Sequence, residues 1–263
     1  MFYNIANMNA IYYFSGTGNC LAISKQIAEI SNDVQVTAIT RELVGSISEI
    51  QADSCIIVFP AYAYGLPSLV RQFLKKTSIK ANYLVLVVSY ASKYGGALAQ
   101  GKRMLRRSGC RANYFCGIKC VENYIPMFGF PKQEVLEKRQ HMQHDLTENL
   151  KANIISRKNN DVRTFRPITG LVSVVFRFVK PVFAKLYKVT PKCNGCGLCA
   201  SICPSAAITM SKKNRPKFTG RKCDHCQGCL NLCPQKAIHF VRLGKRCGRY
   251  HHPDIGISEL KKR

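Results

Sequence analysis

The sequence has no tryptophan, and only 14 of its 263 residues are acidic. No uninterrupted apolar run reaches the ~18 residues that a membrane-spanning helix needs, so no transmembrane segment is expected. The opening residues, MFYNIANMN, lack the basic stretch that precedes the apolar core of a secretory signal, and the expected location is the cytoplasm. The fingerprint G-x-G-x-x-G is missing, which argues against a Rossmann-type dinucleotide site. No helix-turn-helix, zinc-finger or RNA-binding signature is present, so no nucleic-acid partner is expected. No Ser/His/Asp or paired-carboxylate constellation stands out, and hydrolytic chemistry has no support.

Basic charge and cysteine are in excess. Lys and Arg number 40, the formal charge is +26, and there are 14 cysteines. In a reducing compartment such a count points to metal or thiol chemistry rather than disulfides. Residues 1–150 hold 16 basic and 10 acidic groups, residues 151–192 hold 10 and 1, and residues 193–263 hold 14 and 3. The expected division is an α/β domain over 1–156, a basic helical connector over 157–189, a cysteine-rich domain over 190–241 and a basic tail over 242–263.

The first 150 residues alternate two hydrophobic periods. Short β-branched and aromatic runs at 9–14, 34–38, 54–59, 83–89 and 112–119 read as strands. Helical patterns fall at 19–30, 67–76, 95–107 and 132–156, with a weaker one at 41–51. Strands apolar on both faces suit a parallel sheet covered on both sides, and five βα units predict a doubly wound, flavodoxin-like α/β domain. Residues 168–187 carry apolar residues interrupted by Arg177, Lys180 and Lys185. A basic amphipathic stretch can lie on a membrane surface, but two prolines would break a long interfacial helix. The expectation is a helix that packs its apolar side on one of the domains.

An internal repeat defines the C-terminal domain. Cys193, Cys196, Cys199, Cys203 and Pro204 recur 30 positions later as Cys223, Cys226, Cys229, Cys233 and Pro234. Each half reads C-x2-C-x2-C-x3-C-P, the run in which the fourth cysteine ligates the other cluster of a two-cluster [4Fe–4S] pair. The expected ligand sets are Cys193, Cys196, Cys199 and Cys233 for one cluster, and Cys223, Cys226, Cys229 and Cys203 for the other. Tetrahedral zinc also takes four thiolates, but zinc ribbons use separated C-x2-C pairs and would leave the third cysteine of each run idle. Over roughly residues 190–241 the chain resembles the two-cluster bacterial ferredoxins.

The first strand runs into Ser15-Gly-Thr-Gly-Asn19 and then a helix. A glycine- and hydroxyl-rich turn there presents free N–H groups and the positive end of the helix dipole to a phosphate. The pattern resembles the phosphate loop of flavodoxins, S/T-x-T-G-x. That resemblance implies FMN, with Ser15, Thr17, Gly18 and Asn19 on its phosphate. Two more loops leave carboxyl ends of strands, 60–67 with Tyr62, Tyr64 and Gly65, and 89–96 with Ser89, Tyr90, Tyr94 and Gly95. Flavodoxins place flavin-ring contacts in these loops, and without tryptophan the tyrosines must cover the ring. Together with the 122–126 segment, these features resemble a family of bacterial flavodoxin–ferredoxin fusions, the EFR-type ferredoxins. The resemblance implies electron transfer between FMN, two [4Fe–4S] clusters and a redox partner; the alternative is a flavin-dependent reductase of a small molecule, fed by the clusters. The basic second half, with Lys212, Lys213, Arg215, Lys217, Arg221 and Lys222, predicts a partner protein with an acidic docking surface.

Six cysteines lie outside the motifs: Cys20, Cys55, Cys110, Cys116, Cys120 and Cys247. Small buried hydrophobes are the expectation for them. His225 is expected in solvent, and His251 and His252 on a mobile tail.

Overall fold

Runs that are apolar on both faces need cover on both sides, and the first five strands receive it. The computed structural model describes residues 9–162, 167–240 and 248–261. The N-terminal unit runs β1 (Asn9–Tyr13), α1 (Asn19–Ala28), β2 (Val34–Ala38), α2 (Arg41–Ser46), β3 (Glu49–Pro60) and α3 (Ser68–Lys76). It continues through β4 (Ser78–Tyr90), α4 (Ala97–Arg107), β5 (Tyr114–Lys119), a single turn α5 (Ile125–Phe128) and α6 (Gln133–Ile155). The strands are all parallel, in the order β2-β1-β3-β4-β5. That is the flavodoxin-like order, so the doubly wound fold stands as expected. Alternate side chains serve opposite layers. Ile11, Ile56, Val58 and Val85 pack toward α1 and α6, whereas Tyr12, Phe14, Ile57, Phe59 and Leu86 pack toward α3 and α4.

Three boundaries differ from expectation by five residues. β3 and β4 start at Glu49 and Ser78 rather than at Ser54 and Tyr83, because their polar leading halves pair with each other, Glu49 opposite Ser78. The helical pattern over 41–51 therefore ends at Ser46; the Thr40 hydroxyl caps its start by accepting from Leu43 N–H.

The C-terminal half holds α7 (Pro167–Ala184), β6 (Tyr187–Val189), α8 (Leu198–Ser201), β7 (Ile208–Met210), β8 (Pro216–Phe218), α9 (Gly228–Asn231) and β9 (Ile238–Phe240). β6 pairs with β9 and β7 with β8, both antiparallel. The repeat is structural as well as sequential, since α8 and β7 recur as α9 and β9 at the same 30-residue offset. Tyr187, Leu230, Ile238 and Phe240 form the small core of this unit. Its first strand begins inside the stretch that the sequence assigns to the connector.

The expectation for the connector helix is overturned. α7 does not pack its apolar side inward: Ile168 is 78% and Phe178 71% exposed, whereas Lys180 is 6% exposed. Polar contacts occupy the inner side. Lys180 donates to Asp224 and Ser68, and Gln100 donates to the Ser173 hydroxyl. Pro181 sits in the last turn of α7 and does not divide the helix. No helix among the described residues is long and apolar enough to cross a membrane.

The expected mobile tail is also corrected over 248–261. Tyr250 donates its hydroxyl to Asn19 Oδ1 at 2.6 Å, and Gln143 donates its amide to His252 Nε2 at 3.0 Å. Ile255 is buried beside α1, and Lys25 pairs with Glu259 at 2.8 Å. His252 is buried, and burial holds its pKa below the usual histidine range; His251 is exposed.

Candidate functional site

After β1 the chain turns through Ser15, Gly16, Thr17 and Gly18 into α1. Gly18 has φ 104°, a left-handed conformation that L side chains rarely adopt, and a Cβ there would meet His252 at 2.8 Å. No side chain caps α1, so its first N–H groups stay open to an anion. The two hydroxyls of the loop are oriented as donors. Ser15 Oγ accepts Gly18 N–H at 3.1 Å and Thr17 Oγ1 accepts Asn123 Nδ2 at 3.0 Å, which leaves each O–H to be given to a ligand.

This loop floors a cavity of ≈ 360 Å³ beside the carboxyl ends of β1, β3, β4 and β5. Open α/β sheets bind ligands at that edge. Of the residues expected there, Ser15, Thr17, Asn19, Tyr62, Tyr64, Ser89 and Tyr90 line the cavity. Asn19 brings its backbone, because its side chain is engaged by Val121 O and the Tyr250 hydroxyl. Gly18, Gly65, Tyr94 and Gly95 stand behind the wall. Gly65 faces Ser173 and Gln100, Gly95 lies under the Tyr64 ring, and Tyr94 meets Tyr90 edge-on at 5.2 Å.

Sequence reasoning missed much of the remaining lining of the cavity. Asn123 and Tyr124 come from the exit of β5, Phe176 and Phe183 from α7, and His225 and Phe240 from the cysteine-rich unit. Only the 122–126 segment carried any sequence signal. His225 corrects its expectation outright: it is 2% exposed, packed among Phe176, Phe183, Tyr187 and Phe240. Its Nε2 lies 2.8 Å from Lys180 O, which fixes the proton on that nitrogen. Burial lowers its pKa, so the ring is neutral near pH 7.

The motif cysteines lie near one another across the repeat. Cys193, Cys196, Cys199 and Cys233 ring one small pocket with Leu198, Met210 and Ile238. In the other group burial raises the Cys223, Cys226 and Cys229 thiols, and the nearby Cys203 raises them further. Burial first, with Cys233, Cys196 and Cys193 adding to it, pushes Cys199 up to about 11. Thiols held protonated in this way release protons when they bind a metal centre. No group of three His, Cys, Asp or Glu among the described residues is disposed to hold a single metal ion. Backbone N–H groups of Ala207, Ala237 and His225 reach Cys203, Cys233 and Cys223 sulfurs at 3.3, 3.3 and 3.4 Å, donors of the kind that tune cluster potentials.

The second cysteine group abuts the cavity floor. A Cβ on Gly16 would lie 2.4 Å from Cys226 O, and one on Gly228 2.6 Å from Gly16 O. Main chain therefore meets main chain between the two units. Asp224, between Cys223 and Cys226, reaches across as well: it accepts from Ser68 N–H at 2.8 Å and Leu69 N–H at 3.1 Å at the start of α3.

Of the six basic residues between the cysteine motifs, Lys212, Lys213, Lys217, Arg221 and Lys222 are exposed. Arg215 is committed to structure, donating to the carbonyls of Val189, Thr190 and Cys193. Among the non-motif cysteines, Cys20, Cys55 and Cys120 are buried and Cys110 and Cys116 half-buried. Burial pushes Cys20 and Cys55 up to about 12, which makes them poor nucleophiles at neutral pH. Cys247 lies outside the described residues.

Residues 192–237 match a family model described as a 4Fe-4S dicluster domain. No curated protein matches the chain. Among solved structures, a Streptococcus pneumoniae TIGR4 flavodoxin is 19% identical, with 56% of this chain and 99% of that chain covered at a TM-score of 0.35. Two-electron reduced Megasphaera elsdenii flavodoxin is 18% identical, with 54% and 99% covered at a TM-score of 0.32. A Lactobacillus acidophilus NCFM flavoprotein in complex with FMN is 12% identical, with 43% and 93% covered at a TM-score of 0.33.

Proposed function

We propose that the chain is an iron–sulfur flavoprotein that moves electrons between a redox partner and a flavin, an EFR-type ferredoxin in domain order. The observation that carries this reading is the contact of Gly16 with Cys226 and Gly228, which puts the expected phosphate loop directly on the expected cluster loop. When bound, FMN handles one or two electrons and each [4Fe–4S] cluster handles one, so the set converts between the two modes. Ser15 and Thr17 would give their hydroxyl protons to the FMN phosphate, Asn19 its backbone N–H, and Tyr62, Tyr64, Tyr90 and Tyr124 would enclose the ring. Cys203, Cys223, Cys226 and Cys229 would hold the cluster beside the flavin. Cys193, Cys196, Cys199 and Cys233 would hold the distal one, where Cys196 is exposed to a partner.

Thr17→Asp tests the flavin assignment. A carboxylate against the phosphate costs several kcal/mol, so FMN affinity should fall by at least about a hundredfold, read by fluorescence titration. Unchanged binding in that variant would show that the loop holds no phosphate.

The acidic partner is tested by salt. The five exposed basic residues lie between the two cysteine motifs in sequence, Lys222 next to Cys223, and steering by them should weaken as the Debye length falls from about 10 Å at 0.1 M to about 3 Å at 1 M. Stopped-flow reduction by an acidic carrier protein should slow on the order of tenfold over that range, and neutralising the five should slow it at low salt. A rate insensitive to both changes would remove the charge from partner choice.

A second reading has an observation of its own. Phe176, Phe183, Phe240 and His225 give the cavity an apolar, aromatic wall. That wall suits a flat organic acceptor, which would make the protein a reductase of a small molecule.

A further inference from the structure

Nine of the fourteen large apolar side chains that the described residues leave exposed belong to α7. Ile168, Leu171, Val175, Phe178 and Val182, at helical spacing, are each between 50% and 78% exposed. They occupy one side of a helix about 27 Å long. Patches of this size mark a surface that another body covers.

Two features select the body. Protein interfaces carry about one hydrogen bond per 100–200 Å². The open arc of α7 offers no donor or acceptor side chain, and hydrocarbon asks for none. The sequence around it is cationic, with thirteen Lys and Arg and no acidic residue between Asp161 and Asp224, and the exposed Arg221 and Lys222 follow Gly220, which packs on Pro181 of α7. Arg177 on α7 and Lys185 just past its end are both exposed. A second copy of this chain would bring +26 against +26. An anionic bilayer meets both requirements, and no helix among the described residues is long and apolar enough to cross one. Met127 and Phe128 on α5, each 66% exposed, share the cavity mouth with Phe183 of α7, so this face also carries the opening of the cavity.

We propose that α7, with α5 beside it, is a peripheral docking face that lies in the interfacial layer of an anionic membrane. Binding combines apolar burial with attraction of Lys and Arg to acidic headgroups, and each alone is weak. The full chain carrying its cofactors should float with vesicles of phosphatidylcholine and phosphatidylglycerol, and not with vesicles of phosphatidylcholine alone. Leu171→Ser/Phe178→Ser/Val182→Ser keeps every charge and touches no cavity residue. It should keep wild-type iron and flavin content and lower vesicle partitioning by on the order of a hundredfold. Arg177→Gln/Lys185→Gln should lower it by roughly tenfold at low salt and much less at high salt. Triple-serine protein that floats as well as wild type would reduce the binding to charge adsorption and overturn the proposal. So would a concentration-dependent dimer, by light scattering, that the triple-serine change dissolves, or wild-type protein that binds neither vesicle.

Discussion

With the two clusters held as proposed, serine in place of Cys226 should cost the protein roughly half of about eight iron atoms. Cys226 stands at the junction of the two units, its carbonyl against Gly16 and its thiol grouped with Cys203, Cys223 and Cys229. An alcohol is a harder and weaker ligand for iron than a thiolate, so the cluster nearest the flavin should be lost or left labile. The distal group, Cys193, Cys196, Cys199 and Cys233, keeps its four sulfurs. Iron and sulfide analysis with electron paramagnetic resonance should then show one cluster instead of two. Flavin reduction by a partner that docks at the distal cluster should fall by several orders of magnitude, while reduction by a small chemical reductant continues. Cys196→Ser should do the converse, removing the distal cluster and sparing the proximal one. Full iron and an unaltered two-cluster spectrum in Cys226→Ser would refute the ligand assignment.

Asp224→Ala should lower stability by about 3–5 kcal/mol, the usual cost of removing one member of a buried ion pair. The Asp224 side chain is 3% exposed, and it accepts from the Ser205 hydroxyl and from Lys180 at 2.9 Å in addition to the two N–H groups of α3. Alanine leaves the Lys180 ammonium buried without its partner and uncaps α3. For a chain of this size the first thermal transition should fall by roughly 10 °C. Lys180→Met in the same background removes the stranded charge and should recover part of the loss, a coupling that a double-mutant cycle measures. A melting temperature within about a degree of wild type would mean that Asp224 contributes nothing net to the junction.

The parts legible in the sequence are those dictated by local spacing. Residues 54–59 and 83–89 announce buried parallel strands because every side chain is apolar or small. The doubled cysteine run announces a 4Fe-4S dicluster domain because its sulfurs fall at ligand spacing. The glycine- and hydroxyl-rich turn at the cavity shows itself by composition and by its place after β1. What stayed hidden depends on pairs far apart in the chain. Nothing near His225 indicates that Phe176 and Phe183 of α7 will bury it, and nothing near His252 indicates that Gln143 will. The periodicity of α7 correctly marks a helix with an apolar side. Yet periodicity is blind to which side turns inward, and Lys180 turned inward because Asp224 was there to meet it.

The main-chain contact between Gly16 and Gly228 bears on how such a protein can be inherited or rebuilt. Flavin and cluster modules are commonly regarded as interchangeable parts joined by a linker. Here the junction tolerates no side chain on either partner, and the spacing between the two redox units is set by backbone instead of by a tether. Electron passage needs no swinging of one module toward the other, so it does not wait on diffusion of a domain through viscous solvent. Recombination that replaced either module alone would have to bring a glycine to the same point of contact. Exchange of either half therefore has to keep glycine at both positions of this contact.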